Sequence, residues 1–163
     1  MLKNSQLPSK IFAIMTKLSI SLKRLDPEIS LPKYAYEGDA ALDIASRIDI
    51  IVKPHERACI PTGLAISLPT GYAAFVLPRS GLAKNQGITI LNSPGLIDSN
   101  YRGEICVIVY NTDHDQDFVV KKHDRIAQLL IAPVPEIAFV EVDTLDETQR
   151  NGSGFGSSGV CAS

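Results

Sequence analysis

The sequence has no C-x-x-C pair and no cysteine–histidine spacing suited to zinc. Its three cysteines, Cys59, Cys106 and Cys161, are odd in number and far apart. A disulfide framework is therefore unsupported, as is a structural metal, and a reducing cytoplasm is the natural compartment. Long apolar runs are missing too. The nearest, LLIAPVPEIAFVEV (129–142), is broken by Pro133, Pro135 and Glu136, well short of the roughly 18–20 apolar residues that cross a bilayer. Charge of one sign is also lacking. The formal net charge is −2, so no whole-molecule field attracts nucleic acid or an anionic membrane. Individual arginines must hold any anionic ligand. No lysine follows Lys122, so the Gly-rich C-terminal stretch is not a P-loop.

What is present indicates one β domain. The 163 residues, 45% of them hydrophobic, suffice for one sizeable core. Turn signals recur at short intervals, at Pro54, Pro61-Thr62-Gly63, Pro69-Thr70-Gly71, Pro78, Gly87, Pro94-Gly95 and Gly103. Between them lie short apolar or alternating runs: IDIIV (48–52), LAISL (64–68), YAAFVL (72–77), EICVIVYN (104–111), FVV (118–120) and IAQLLIA (126–132). That rhythm predicts an all-β sandwich or barrel. One short helix is expected at SGLAKNQ (80–86), with Ser80 as N-cap and Gly87 at its end. Residues 1–17 carry Lys3, Lys10 and Lys17 and no acid or arginine. They are read as a disordered extension, or as sequence preceding a true start at Met15, rather than as a targeting segment. The map is an extension over 1–17, a β domain over 18–146 and a flexible arm over 147–163.

Four segments carry candidate chemistry, and each admits a plain structural reading. In PRSGLAKNQG (78–87), Arg79 and Ser80 project where a helix begins, a place suited to phosphate, and Gly81 permits close backbone approach; an ordinary capped turn explains the same residues. In LNSPGLIDSNYRGE (91–104), two β-like runs flank turns and predict a hairpin. Asp98 could orient or deprotonate a water there, or cap the turn through its side chain. In HDRIAQLL (123–130), Gln128 is a polar residue in a strand expected to be buried, and it needs a partner in backbone or ligand. The tail RNGSGFGSSG (150–159) is a flexible linker by composition, yet Arg150, Ser157 and Ser158 are suitable phosphate donors and Phe155 could lie on a planar ring.

Taken together and in order, these segments resemble the trimeric dUTP pyrophosphatase (dUTPase) family, whose five motifs have counterparts in YEGDAALDIAS (36–46), PRSGLAKNQGI (78–88), LNSPGLIDSNYRGE, HDRIAQLL and RNGSGFGSSG. The resemblance implies a jelly-roll-like β-barrel forming a homotrimer with active sites between subunits, and hydrolysis of dUTP to dUMP and pyrophosphate by attack of water on the α-phosphorus. That reaction would limit uracil in DNA and supply dUMP for thymidylate synthesis. By position, Asp98 would activate the water and Tyr101 would pack on the deoxyribose, excluding a 2′-OH. Asn92 would bind uracil and sugar, while Arg79, Ser80, Gly81 and Gln128 would hold the α and β phosphates. Asp43 would act through water on a Mg²⁺ bound mainly by the triphosphate. The tail would be a flap from a neighbouring subunit, with Phe155 on uracil and Arg150, Gly156, Ser157 and Ser158 closing on the γ-phosphate.

The sequence departs from the family pattern at Ala41 and His123, where glycine is usual, at Asn151 and Ser153 in the tail, and at Ser158, where threonine is common. Two rival readings remain. A dCTP deaminase shares the IDxxY element but carries a catalytic Glu where Ile108 stands. A non-catalytic trimer would bind nucleotide without turnover.

Overall fold

The structure is a computed structural model that describes residues 17–153. The N-terminal extension up to residue 16 and the tail from residue 154, with Phe155, Gly156, Ser157 and Ser158, lie outside the described residues. Eleven strands and one helix follow in order: β1 (Ser21–Arg24), β2 (Leu42–Ala45), β3 (Ile50–Val52), β4 (Arg57–Pro61), β5 (Leu64–Ser67), β6 (Tyr72–Leu77), α1 (Ser80–Gln86), β7 (Ile88–Ile90), β8 (Gly95–Ile97), β9 (Cys106–Asn111), β10 (Phe118–Val120) and β11 (Arg125–Pro133). They form an all-β, jelly-roll-like arrangement. The pairing is β2-β11-β6-β8, β4-β9-β7, β1-β5 and β10-β3, every ladder antiparallel. The expected barrel is not closed: the strands stay in these separate sheets.

Alternation explains the larger strands. In β9, Val107, Val109 and Asn111 point inward while Cys106 is exposed and Ile108 and Tyr110 half-buried. The inward residues join Ile44, Ile60, Leu64, Ile105 and Ile126 in one core. Branched side chains dominate it, as a pleated, closely packed surface favours.

Asn111 is one of three fully buried polar side chains among the described residues, with Ser46 and Thr62, and is fully satisfied. Its amide donates to the carbonyls of Val52 (3.0 Å) and Gln116 (2.8 Å), and its Oδ1 accepts from the Asp113 N–H (3.0 Å). One buried side chain thus ties β9 to β3 and closes the 111–117 loop.

Several expectations are refined. α1 has the predicted span, and Gly87 ends it in left-handed backbone (φ 62°), but Arg79, not Ser80, is the N-cap and makes no side-chain cap bond. The Arg79 guanidinium is drawn elsewhere, as shown below. The predicted hairpin at 91–104 is not a paired ladder. β7 pairs with β9 and β8 with β6, so the segment crosses from one sheet to another. Ala41 is not among the left-handed residues, whereas His123 (φ 77°) and Asn151 (φ 41°) are. Asparagine and histidine are among the residues other than glycine that enter that region most readily.

Asn111→Ala is expected to remove about 3 kcal/mol of stability, because three buried hydrogen bonds are lost and their partners left unpaired. Urea denaturation checks this, and an unchanged midpoint would refute the role assigned to the amide.

Candidate active site

The residue types named from sequence gather at the two ends of β6. At its C-terminal end, Gln128 lies opposite both Asp43 of β2 and Leu77 of β6. Pro78 then carries the chain to Arg79. Asp43, Arg79, Arg125 and Gln128 line one cleft of about 500 Å³, together with Tyr36 and Ala41.

The electrostatics there centre on Asp43. Its Oδ1 accepts from Arg79 Nε and its Oδ2 from Arg125 Nη1, each at 2.9 Å. Arg79 Nη1 also donates to the Arg125 carbonyl at 3.0 Å. The carboxylate is only 14% exposed, so the pair with Arg79 is better shielded than a surface ion pair. One anion thereby holds two guanidiniums side by side and leaves part of each fork for an incoming anion. Gln128 is half-buried, contrary to the expectation of a fully buried amide, and its side chain faces this cleft. Ser80 and Gly81 are exposed at the first positions of α1. Arg125 was not singled out from sequence.

At the opposite end of β6 stand Asp98 and Tyr101, lining a second cleft of about 390 Å³. The side-chain cap suggested for Asp98 is not formed. The turn is closed by its backbone carbonyl, which accepts from the Tyr101 N–H at 3.2 Å, and the exposed carboxylate has no hydrogen-bond partner among the described residues. Tyr101 donates its hydroxyl to the Glu104 carbonyl at 3.0 Å. Glu104 is itself anchored, its Oε1 accepting from the Gly63 N–H at 2.7 Å and its Oε2 from Arg47 Nη2 at 2.9 Å. The Tyr101 ring lies directly over Gly103, where a Cβ would collide with the ring and hydroxyl. Asn92 is exposed, its amide nitrogen 3.3 Å from where a Cβ on Gly95 would sit.

The two clefts share no residue. Asp98 follows Ile97, which faces Ala74 near the start of β6, whereas Arg79 lies beyond the other end. Six extended residue steps at 3.3 Å separate the two levels by about 20 Å. Within one chain, Asp98 and Arg79 are not brought together. Arg150 lies apart from both clefts, with its Nε on the Ser153 carbonyl at 2.8 Å.

Comparison with known proteins identifies the pattern. A family model described as dUTPase matches residues 27–159. The chain is 46% identical over 155 residues to the deoxyuridine 5'-triphosphate nucleotidohydrolase of Thermobifida fusca (strain YX), covering 95% of this chain and 87% of that protein. It is 52% identical over 129 residues to the enzyme of the same name from Leifsonia xyli subsp. xyli (strain CTCB07), covering 79% and 85%. Among solved structures, a mutant dUTPase of Staphylococcus bacteriophage 80alpha with dUpNHpp superposes with a TM-score of 0.80 at 26% identity, covering 88% of this chain and all of that one. A dUTPase mutant from phage phi11 of S. aureus, described as coordinating a structural Mg(II) ion, shares the fold with a TM-score of 0.71 at 23% identity, covering 78% and 98%.

Gly103→Ala is expected to leave the strands intact but displace the Tyr101 ring from the Glu104 carbonyl. A crystal structure of the variant checks this, and an unmoved ring would show that the backbone yields instead.

Proposed function

The chain belongs to the dUTPase family, and from that premise we propose that it hydrolyses dUTP to dUMP and pyrophosphate in sites shared between the subunits of a homotrimer. The observation that carries the shared site is the register of β8 on β6, which sets Asp98 beside the start of β6 and Arg79 past its end, about 20 Å apart along the strand. A water attacking the α-phosphorus and the guanidinium holding the α or β phosphate must lie within a few ångströms of one another. One chain therefore supplies Asp98, Tyr101 and Asn92, and a neighbour supplies Asp43, Arg79, Ser80, Gly81 and Gln128.

A second feature supports assembly. Over residues 134–153, after β11, the chain runs without regular structure and holds Ile137, Phe139, Val140 and Leu145 at 68%, 94%, 81% and 85% exposure. Contiguous apolar residues this exposed mark a surface meant to be covered. A neighbouring copy is the proposed cover, and this arm leads on to the tail that would close as a flap.

In the mechanism, Asp98 accepts a proton from the attacking water while orienting it in line with the leaving pyrophosphate. Its carboxylate is free to do so because the backbone already closes the turn. Tyr101, held by Glu104 and fitted over Gly103, presents its ring to the deoxyribose and leaves no room for a 2′-OH. Asn92 recognises the uracil edge. Arg79 stabilises charge on the phosphates, with its orientation set by Asp43. Ser80, Gly81 and Gln128 complete the phosphate contacts. Phe155 would cover uracil, and Arg150, Gly156, Ser157 and Ser158 would close over the γ-phosphate.

Both Asp43 oxygens are engaged by guanidiniums, and among the described residues no cluster of three or more His, Cys, Asp or Glu is placed to hold a metal. The donor set thus fits a hydrated Mg²⁺ carried by the triphosphate and met by Asp43 through water. When bound, that ion supplies positive charge at the phosphate oxygens. Among the described residues no helix is long and apolar enough to cross a membrane, and two free thiols support a cytoplasmic setting. The deaminase reading needs a carboxylate at Ile108, an apolar residue facing the Asp98 cleft.

Mixing subunits tests the shared site. Asp98→Asn is expected to lower turnover by about a thousandfold while dUTP binding persists, since a positioned base contributes on that scale. Arg79→Ala alone should also be nearly inactive. Unfolded together and reassembled, the two variants should recover about a quarter of the wild-type rate, the fraction of sites drawing each group from an unaltered neighbour in random mixing. No recovery would place both groups in one chain. Deleting residues 150–163 should leave a folded trimer with severely reduced kcat/KM; an unaffected rate would remove the flap. Pyrophosphate release from dUTP, and not from dCTP, dTTP or UTP, is the primary assay.

A further inference from the structure

Two chemically distinctive side chains play no part in this reaction. Cys59 on β4 and Cys106 on β9 are free and exposed. In the β4–β9 ladder Cys59 faces Ile108 and Cys106 faces Pro61. The two therefore project from one face of the sheet as diagonal neighbours on adjacent strands. Partial burial, followed by the adjacent Cys59, pushes the Cys106 thiol up to about 11. Both line the cleft that contains Asp98 and Tyr101.

Spacing decides what such a pair can bind. Diagonal neighbours have Cα atoms roughly 7–8 Å apart, whereas an unstrained disulfide calls for less than about 7 Å. A direct S–S bond requires the strands to move. A single thiophilic atom placed between the sulfurs spans the longer gap without that movement. We propose that Cys59 and Cys106 form a dithiol site for a trivalent arsenical, whose occupation obstructs the Asp98 cleft.

The reaction balances without an oxidant. With phenylarsine oxide, two S–H bonds and the arsenic–oxygen bonding are exchanged for two As–S bonds, the oxygen leaves as water with both thiol protons, and arsenic stays trivalent. Both cysteines enter as S–H, so their two protons and the oxygen leave together as one water. Leu96 and Ile108, on the same cleft wall, offer apolar surface to the phenyl group. A cleft that must admit substrate to Asp98 must also admit a small reagent. This last link rests on the role proposed for Asp98; formation of the adduct does not.

The test uses the full chain carrying Cys161→Ser, treated with one equivalent of phenylarsine oxide. Intact-mass measurement is expected to show one phenylarsenic group per chain, with two thiols consumed. Turnover of dUTP should fall at least tenfold and return on adding 2,3-dimercaptopropanol, but not a monothiol. Cys59→Ser and Cys106→Ser, each made in the same background, should lose the adduct and keep their turnover in the presence of reagent. The proposal is overturned if the folded protein takes up no reagent, if either serine variant is labelled as readily as its parent, or if the adduct forms while turnover is unchanged. A parent chain inactive before treatment would count against the dUTPase reading and leave the mass result standing.

Discussion

Strand β6 is hydrogen-bonded along both edges, to β11 on one side and β8 on the other. A strand fixed in that way cannot slip, since a one-residue shift would turn its buried Ala74 and Val76 to the opposite face. Its length therefore acts as a rigid spacer. Cations and amide lie at one end, a free carboxylate and an aromatic ring at the other. On the function proposed above, neither end alone would bind a nucleoside triphosphate completely. The scaffold sets the distance between the two half-sites, and the proposed assembly removes it by bringing opposite ends of different copies together.

At the cationic end, the fold solves a second problem. Two guanidiniums placed side by side repel, and an arginine pair left to itself would splay into solvent. Asp43 offsets that repulsion from a partly buried position, one oxygen for each guanidinium. The same contact accounts for the uncapped start of α1: Arg79 sits at the N-cap position but spends its donors on Asp43 and on the Arg125 carbonyl. Local helix capping yields to an ion pair that, on the function proposed above, would preorganise a phosphate contact. Arg79 alone would be a flexible charge; coupled to Asp43 it has a direction.

Much of this was legible in the residues, for identifiable reasons. YAAFVL and FVV became β6 and β10 at the expected positions, because apolar alternation bounded by Pro and Gly leaves little freedom. Gly87 ended α1 because only its left-handed backbone fits there without strain. Strands β1, β2 and β4 carry mixed polar and apolar residues whose pairing depends on distant partners, so no local signal marked them. The 91–104 segment misled for a related reason. Its turns are real, but strand partnership is a tertiary choice, and β7 and β8 each chose a different sheet. Arg125 was missed because its contact with Asp43 crosses 82 residues of sequence. The separation of Asp98 from Arg79 was equally invisible, since sequence proximity says nothing about opposite ends of a strand.

The apolar arm beyond β11 also has a bearing on how the molecule behaves when scarce. A chain that leaves Phe139 and Leu145 almost wholly in water gains most from whatever covers them, and on the assembly proposed above that cover arrives by association. Mass action then links solubility, folded population and activity to the number of copies per cell. Dilution would erode all three at once, and newly made chains would be at their most adhesive before the first partner arrives. Expression level becomes a determinant of specific activity, and not merely of its total.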